Sequence, residues 1–318
     1  MSSRRALRYG LACVVLAGVL AAAAGGCLAW VAGPDSRLDR LTHFAPLYPM
    51  AALLGLAFAL AARLPWRGAI AASCLVAVAA SCTLIVPEFT RSNGAEPASA
   101  PTGRIKVIQF NAQRGNADVR RVADWLIAQD PDVVTISEAR HDLRDLLLKR
   151  AGWKVAGGQG SLMIFTRERY VRMNRPKGLR GSSVTFVNAT YAAPTGDIEI
   201  LTTHLDRRPA TPVPQVRGLE HVTRALPRER MILTGDFNAT PWSGALRRLD
   251  SSLGLTRRDR AVASWPAELL GGRWPLPFLP IDHVYAGPGW ATVKVERGPW
   301  LGSDHYPVIV TLAPVARP

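Results

Sequence analysis

The feature that most constrains this chain is how unevenly its apolar residues are spread. Three runs within the first 87 residues are almost free of charge, over about 9–31, 46–63 and 68–87. About 20 apolar residues at 1.5 Å each cross the roughly 30 Å hydrocarbon core of a bilayer, so a three-helix transmembrane anchor is predicted over residues 1–87. The middle run is the shortest of the three. All four cysteines (Cys13, Cys27, Cys74 and Cys82) fall inside this stretch. The remaining three quarters or so of the chain therefore has no disulfide framework, no cysteine-ligated zinc and no thiol nucleophile. With 48% apolar and 20% charged residues overall, the chain is neither disordered nor a disulfide-stapled miniprotein.

Charge sets the expected orientation. Arg4, Arg5 and Arg8 precede the first run, and Arg63 and Arg67 flank the short turn between the second and third. Between the first and second runs Asp35 and Asp39 offset Arg37 and Arg40. The positive-inside rule then puts the N-terminus and the short turn in the cytoplasm. Three crossings leave everything after Pro87 on the extracytoplasmic side, in a multi-pass protein of a bacterial inner membrane. Two alternatives concern processing only. Residues 3–8 are similar to a twin-arginine export signal, and Gly25-Gly26-Cys27 to a lipoprotein cleavage site, though Ala24 stands where Leu is preferred. Residues 88–103, rich in Ser, Ala, Pro and Gly, read as a flexible linker.

From residue 104 to 318, short apolar runs alternate with amphipathic ones. Strands are predicted at 105–110, 133–136, 162–166, 183–191, 198–204, 231–233, 281–285, 292–295 and 308–312. Helices are predicted near 118–128, 141–150, 214–225 and 242–251. Several strands are apolar on both faces, which requires helices over the sheets. Polar residues fall at strand ends: Asn111, Glu138, His204, Asp236 with Asn238, Asp282, and Asp304 with His305. Six such placements in one domain predict a single rim on which they converge.

Gly235-Asp236-Phe237-Asn238 together with Ser303-Asp304-His305-Tyr306-Pro307, and with Asn111, Glu138, His204 and Asp282 in the same order, resembles the endonuclease/exonuclease/phosphatase superfamily of deoxyribonuclease-I-like enzymes. The resemblance covers about residues 104–313. It implies an α/β (α+β) fold, a four-layer sandwich of two mixed β-sheets flanked by helices. It also implies hydrolysis of phosphoric esters with Mg²⁺ or Mn²⁺, because a hard cation neutralises the charge that repels a hydroxide nucleophile. On this resemblance Glu138 is the principal metal ligand, with Asn111 and Asp304 beside it. His305, oriented by Asp282, takes a proton from water, with Asp236 as the rival base. Asp236 and Asn238 orient the water and bind the transition state, and His204 contacts phosphate or protonates the leaving group. One departure is Ser137, which stands where a Gln commonly precedes the metal Glu. His43, His141, His221 and His283 lack such context and read as structural or solvent-exposed.

Residues 238–282, with Trp242, Trp265, Trp274 and Phe278 among prolines, read as a substrate-facing specificity region. The basic clusters Arg207-Arg208, Arg247-Arg248 and Arg257-Arg258 with Arg260 are either solvated surface or an attraction for polyanions. A domain held outside the inner membrane meets lipid headgroups more often than nucleic acid. The expected function is therefore a membrane-anchored phosphoesterase acting on phosphodiester or pyrophosphate bonds of an anionic, lipid-linked substrate, with membrane lipid as a partner and no obligate protein partner. The alternatives are an extracytoplasmic nuclease acting on DNA or RNA, and a catalytically inactive membrane-tethered binding protein.

Overall fold

The computed structural model describes residues 3–34, 36–92, 94–98, 102–157, 161–173, 178–193, 196–207 and 213–316. Asp35, Arg208 and, within the predicted linker, residues 93 and 99–101 lie outside the described residues. The chain divides into two compact units, one of residues 1–91 with 241–247, the other of residues 92–240 with 248–318.

The first unit is built from α1 (Ser3–Val31), the single turn α2 (Asp39–Thr42), α3 (Leu47–Ala61) and α4 (Arg67–Thr90). Its packing inverts the soluble pattern. Most of the buried positions are small, among them Ala12, Ala23, Ala52, Ala59 and Ala77, with Val19, Leu64, Ile70 and Leu84 beside them, while Leu20, Leu54, Phe58 and Leu75 point outward. Large apolar groups belong inside a helix bundle in water, whereas in lipid small residues let helices approach closely. Gly55 marks such an approach, since a Cβ there would meet Cγ2 of Val19 at 2.7 Å. Among the described residues two helices, Ser3–Val31 and Arg67–Thr90, are long and apolar enough to cross a membrane. The middle run, expected as a third span over 46–63, forms a helix of only 15 residues. The chain leaves that helix in a turn where Leu64 N–H bonds back to the Ala59 carbonyl.

The second unit has, in order, β1 (Ile105–Asn111), α5 (Val119–Ala128), β2 (Val133–Ser137), α6 (His141–Ala151), β3 (Lys154–Gly157), β4 (Met163–Thr166), β5 (Thr185–Tyr191), β6 (Ile198–His204), α7 (Val213–Arg224) and β7 (Met231–Asp236). Next come α8 (Gly244–Ser252), of which only residues 248–252 group with this unit, β8 (Thr256–Arg257), β9 (Glu268–Leu269), β10 (Gly272–Arg273), β11 (Asp282–Ala286), β12 (Trp290–Arg297) and β13 (Val308–Pro314). One sheet has the order β12-β13-β1-β2-β4-β3 and the other β5-β6-β7-β11-β8, with β9 and β10 forming a separate hairpin. Each large sheet is mixed, its parallel pairs being β1–β2 and β6–β7. Alternation along β1 shows the layering. Ile108 and Phe110 pack with Val122, Leu126 and Leu143 of the covering helices, while Val107 joins Ile164, Ile200, Ile232 and Val284 in a core built from both sheets. The expected architecture of two mixed sheets flanked by helices is the one observed.

The stretch 238–282 does not behave as one specificity region. Residues 241–247 group with the first unit, and Trp242 is buried there. The Asp39 carboxylate accepts the Gly244 and Ala245 amides at 2.6 and 3.1 Å.

Candidate active site

Strand register alone gathers the predicted residues. In the six-stranded sheet Asn111 pairs with Ser137 across the parallel β1–β2 ladder, which leaves Glu138 just past the rim. In the five-stranded sheet His204, Asp236 and Asp282 occupy one row across β6, β7 and β11. Close approach along that row excludes a side chain at position 235, where a Cβ would lie 2.0 Å from the Thr203 carbonyl oxygen. The loop before β13 ties in the last residues. Ser303 Oγ donates to the Asn111 carbonyl at 2.7 Å and accepts the His305 N–H at 3.1 Å.

The result is one cleft of about 510 Å³ lined by Asn111, Glu138, His204, Asp236, Asn238, Asp304 and His305, together with Gln113, Ser183, Thr185, Asp206 and Arg207. Asp282 lies beneath it, fully buried. Its Oδ2 is 2.7 Å from Nδ1 of His305. The other ring nitrogen, Nε2, is 3.7 Å from Asp236 Oδ2. That same oxygen accepts Asn111 Nδ2 at 3.0 Å and lies 3.6 Å from His204 Nε2. Asn238 holds a left-handed backbone at φ 48°. Its N–H donates to Asp236 Oδ1 at 2.9 Å and its Nδ2 to the Leu205 carbonyl at 2.8 Å. Glu138 is also left-handed, at φ 53°, a conformation costing a non-glycine residue about 1 kcal/mol or more. Its carboxylate accepts the Arg114 N–H at 3.2 Å and Asn111 Nδ2 at 3.4 Å.

The electrostatics follow from this packing. Burial works against charge on His305, but the facing carboxylates of Asp282 and Asp236 outweigh it and push the ring up to about 10. Burial likewise opposes charge on Asp282, yet the His305 imidazolium and hydrogen bonds from His305, Ser264 and Gln109 hold it below the usual carboxylate range. Asp236 goes the other way, raised by burial and by the neighbouring Asp282. Burial would also raise Glu138, but the Arg114 N–H, the Asn111 amide and the two histidines keep it low, hence ionised.

Several participants were not read from the sequence. Gln109 reaches Asp282 at 3.5 Å and Ser137 Oγ at 3.4 Å, so a glutamine from the neighbouring strand, rather than position 137, supplies an amide beneath the rim. Its signal was a polar residue between Ile108 and Phe110 in an apolar strand. Gln113 accepts the Asp304 N–H at 3.1 Å. His283, read as structural or exposed, is fully buried, with Nδ1 2.8 Å from Asp259 and Nε2 2.8 Å from the Ala239 carbonyl. The basic clusters are not one surface. Arg257 and Arg258 are buried, Arg257 on Asp250 at 3.0 Å and Arg258 on the Trp290 carbonyl at 2.6 Å, and Arg248 pairs with Glu220 at 3.1 Å.

The model of the endonuclease/exonuclease/phosphatase family matches residues 108–305. An endonuclease/exonuclease/phosphatase family protein from Bacteroides thetaiotaomicron is 16% identical with a TM-score of 0.53, covering 68% of this chain and 98% of that one. The mannosyl-6-phosphatase of the same species is 16% identical with a TM-score of 0.52, covering 66% of this chain and 99% of its own. A 3′ phosphatase from Neisseria, bound to a product DNA hairpin, is 19% identical with a TM-score of 0.52, covering 65% and 98%. No curated protein matches the sequence. The matched span carries both rims of the cleft, and the chain belongs to the endonuclease/exonuclease/phosphatase family, whose members hydrolyse phosphoric esters.

Proposed function

We propose that the chain is a membrane-anchored, divalent-metal-dependent phosphoesterase acting on phosphodiester or pyrophosphate bonds of a lipid-linked phosphate, on the extracytoplasmic side of a bacterial inner membrane. The observation that carries the chemistry is the buried His305–Asp282 pair opening onto the cleft that Glu138, Asn111 and Asp236 share.

The donor set fits a hard cation. Glu138 is ionised, half-buried and aimed at the cleft beside the Asn111 amide and the Asp304 carboxylate, and no thiol competes. Asp236, Asp282 and His305 also bring ligand atoms within 4.8 Å of one another. There, however, Asp282 and Nδ1 of His305 are spent on each other, so the open Glu138 side is the better place. Mg²⁺ or Mn²⁺ held by Glu138, Asn111 and Asp304 would neutralise the phosphoryl and leaving oxygens.

The protein's own groups divide the proton work. His305, protonated at neutral pH, donates from Nε2 to a phosphoryl oxygen. Asp236, its basicity raised by burial, accepts the proton of the attacking water. The Asn238 N–H on Asp236 Oδ1 fixes which oxygen does so. His204, on the open side of Asp236, contacts phosphate and serves the leaving oxygen.

Membrane attachment is supported by the inverted packing of the first unit. Arg4, Arg5, Arg8, Arg63 and Arg67 surround one pocket, and the Arg8 guanidinium donates to the Arg63 carbonyl. The start of α1 and the α3–α4 turn thus share one end of the bundle. This favours α3 as a return crossing despite its length, with five arginines on the cytoplasmic side. An odd number of crossings then exports the second unit. Burial of Arg257 and Arg258 removes part of what a nucleic-acid footprint would need.

The test uses the full chain in lipid nanodiscs with Mg²⁺. Release of phosphate or headgroup from lipid phosphates, abolished by EDTA and with plasmid DNA left intact, is the expected result. Plasmid degradation with untouched lipids would replace this reading by the nuclease, and inertness toward both would leave a binding protein. Alkaline phosphatase fused after Pro318 should be active, and an inactive fusion would overturn the exported orientation.

A further inference from the structure

The β9–β10 hairpin is built against its own stability. Its two turn residues, Leu270 and Gly271, have φ of +54° and +77°. A two-residue hairpin with both central residues at positive φ strongly prefers Asn-Gly or Asp-Gly, whose side chains tolerate that backbone. Leucine has no such compensation. The same Leu270 is 99% exposed, and Leu276 and Leu269 beside it are 70% and 49% exposed. Neither the local backbone nor packing within the chain favours leucine at this tip.

The hairpin is nevertheless well tied to the catalytic loop. Ala267 N–H donates to the Asp304 carbonyl at 2.7 Å, and Trp265 Nε1 to the Asp304 carboxylate at 3.3 Å. From the other strand Tyr306 Oη donates to the Trp274 carbonyl at 2.7 Å. Both sides of the hairpin therefore grip the residues flanking His305.

We infer that this hairpin is a bilayer-inserting tip that seats the catalytic cleft on a lipid surface. The inference rests on the membrane-anchored reading above and adds how the cleft engages its substrate. The occupant is argued from the chain itself. It carries two helices apolar enough to cross a membrane, so a bilayer is within reach of the second unit. Around the tip, exposed leucines, the Trp274 indole and Arg273 make the apolar, aromatic and cationic set that suits an interface with anionic headgroups.

The experiment places an environment-sensitive fluorescent amino acid at position 270 or, as control, at the exposed position 294 of the full chain, reconstituted with brominated lipid. Strong quenching at 270 and little at 294 is expected, and equal quenching at both would overturn the proposal. Leu270→Asn supplies the residue the turn prefers, so it should fold at least as well as the parent. It should hydrolyse a water-soluble phosphate ester unchanged while turnover of bilayer-embedded lipid phosphate falls about tenfold. Equal turnover of both substrates by parent and variant would overturn the proposal, as would dimerisation through position 270 in lipid-free detergent. Quenching at 270 with no lipid phosphate hydrolysed would uphold the tip and reject the substrate class.

Discussion

Strand β11 sends consecutive residues to opposite faces of its sheet, and each enters a histidine–carboxylate pair. Asp282 meets Nδ1 of His305 at 2.7 Å, and His283 meets Asp259 at 2.8 Å through its own Nδ1. All four groups are buried, so neither distance nor burial tells the pairs apart. The second ring nitrogen does. His305 Nε2 borders the cleft 3.7 Å from Asp236, a carboxylate whose pKa is raised by burial and by the neighbouring Asp282. His283 Nε2 is spent on the Ala239 carbonyl at 2.8 Å, and the Phe237 ring packs against the imidazole in a T-shaped contact. One pair is left with a ring nitrogen facing the cleft. The other is closed and pins the turn that follows Asp236. On the proposed function, the same chemical unit serves reaction or scaffold according to what its far side meets.

The largest expected effect separates the two directly. His305→Ala should lower kcat per folded molecule about a thousandfold, the combined order of losing a proton-transfer group and a charged donor, and it should also lower stability because it strands the buried Asp282 carboxylate. A fall of less than tenfold would refute the assignment. Glu138→Gln should raise the Mg²⁺ concentration needed for half-maximal activity by about tenfold or more, since supporting groups alone change affinity by 10–100-fold. Asp282→Asn removes the larger of the two carboxylate influences on His305. Its pKa should drop from about 10 toward 6.5, as read by NMR titration of the metal-free chain. An unmoved titration would mean that Asp236 alone holds the ring protonated.

His283→Ala attacks the closed pair. It strands Asp259 in the interior with Arg257 3.8 Å away. Removing one partner of a buried pair costs about 3 kcal/mol or more, measured by denaturant unfolding. Activity per folded molecule should stay within about tenfold of the parent, because the Ala239 carbonyl loses its anchor but no reacting group is lost. If this variant lost as much turnover as His305→Ala at unchanged stability, the distinction between the pairs would fail.

This contrast marks what could be read from residues alone. Asp236, Asp282 and His305 were legible because strand-end polar residues in a fixed order point to one rim. Even the opposite facing of Asp282 and His283 follows from the two-residue period of a strand. What could not be read was long-range. Nothing local says that Asp259 lies under His283, that Gln109 reaches Asp282 across 173 positions, or that Arg257 and Arg258 turn inward. A run of arginines looks the same on paper whether its carboxylate partners are in the sheet beside it or absent. The strands β8, β9 and β10 escape because two residues are too few to show a period, and β3, as long as β4, mixes exposed and buried positions where β4 is buried throughout. The middle run differs from α3 only at its ends, because hydropathy does not register where helical hydrogen bonding stops: the helix closes at Ala61, just before Arg63.

The smallest expected effect concerns the closed pair in acid. Burial would raise the Asp259 carboxylate, but the His283 charge and hydrogen bond, Arg257 and the Val284 N–H outweigh it and bring it down to about 2 from an ordinary 3.8. A carboxylate depressed in the folded state binds its proton more readily when unfolded. Its contribution is therefore complete above pH 4 and is lost as pH falls from about 4 to about 2. A depression of this size corresponds to about 2 kcal/mol. The stability gap between the parent and Asp259→Asn should thus narrow by that amount over this interval, followed by urea unfolding at each pH. A gap that stayed constant would mean that Asp259 is held by shape rather than by charge, and the closed pair would then differ from the open one in electrostatics as well as in access.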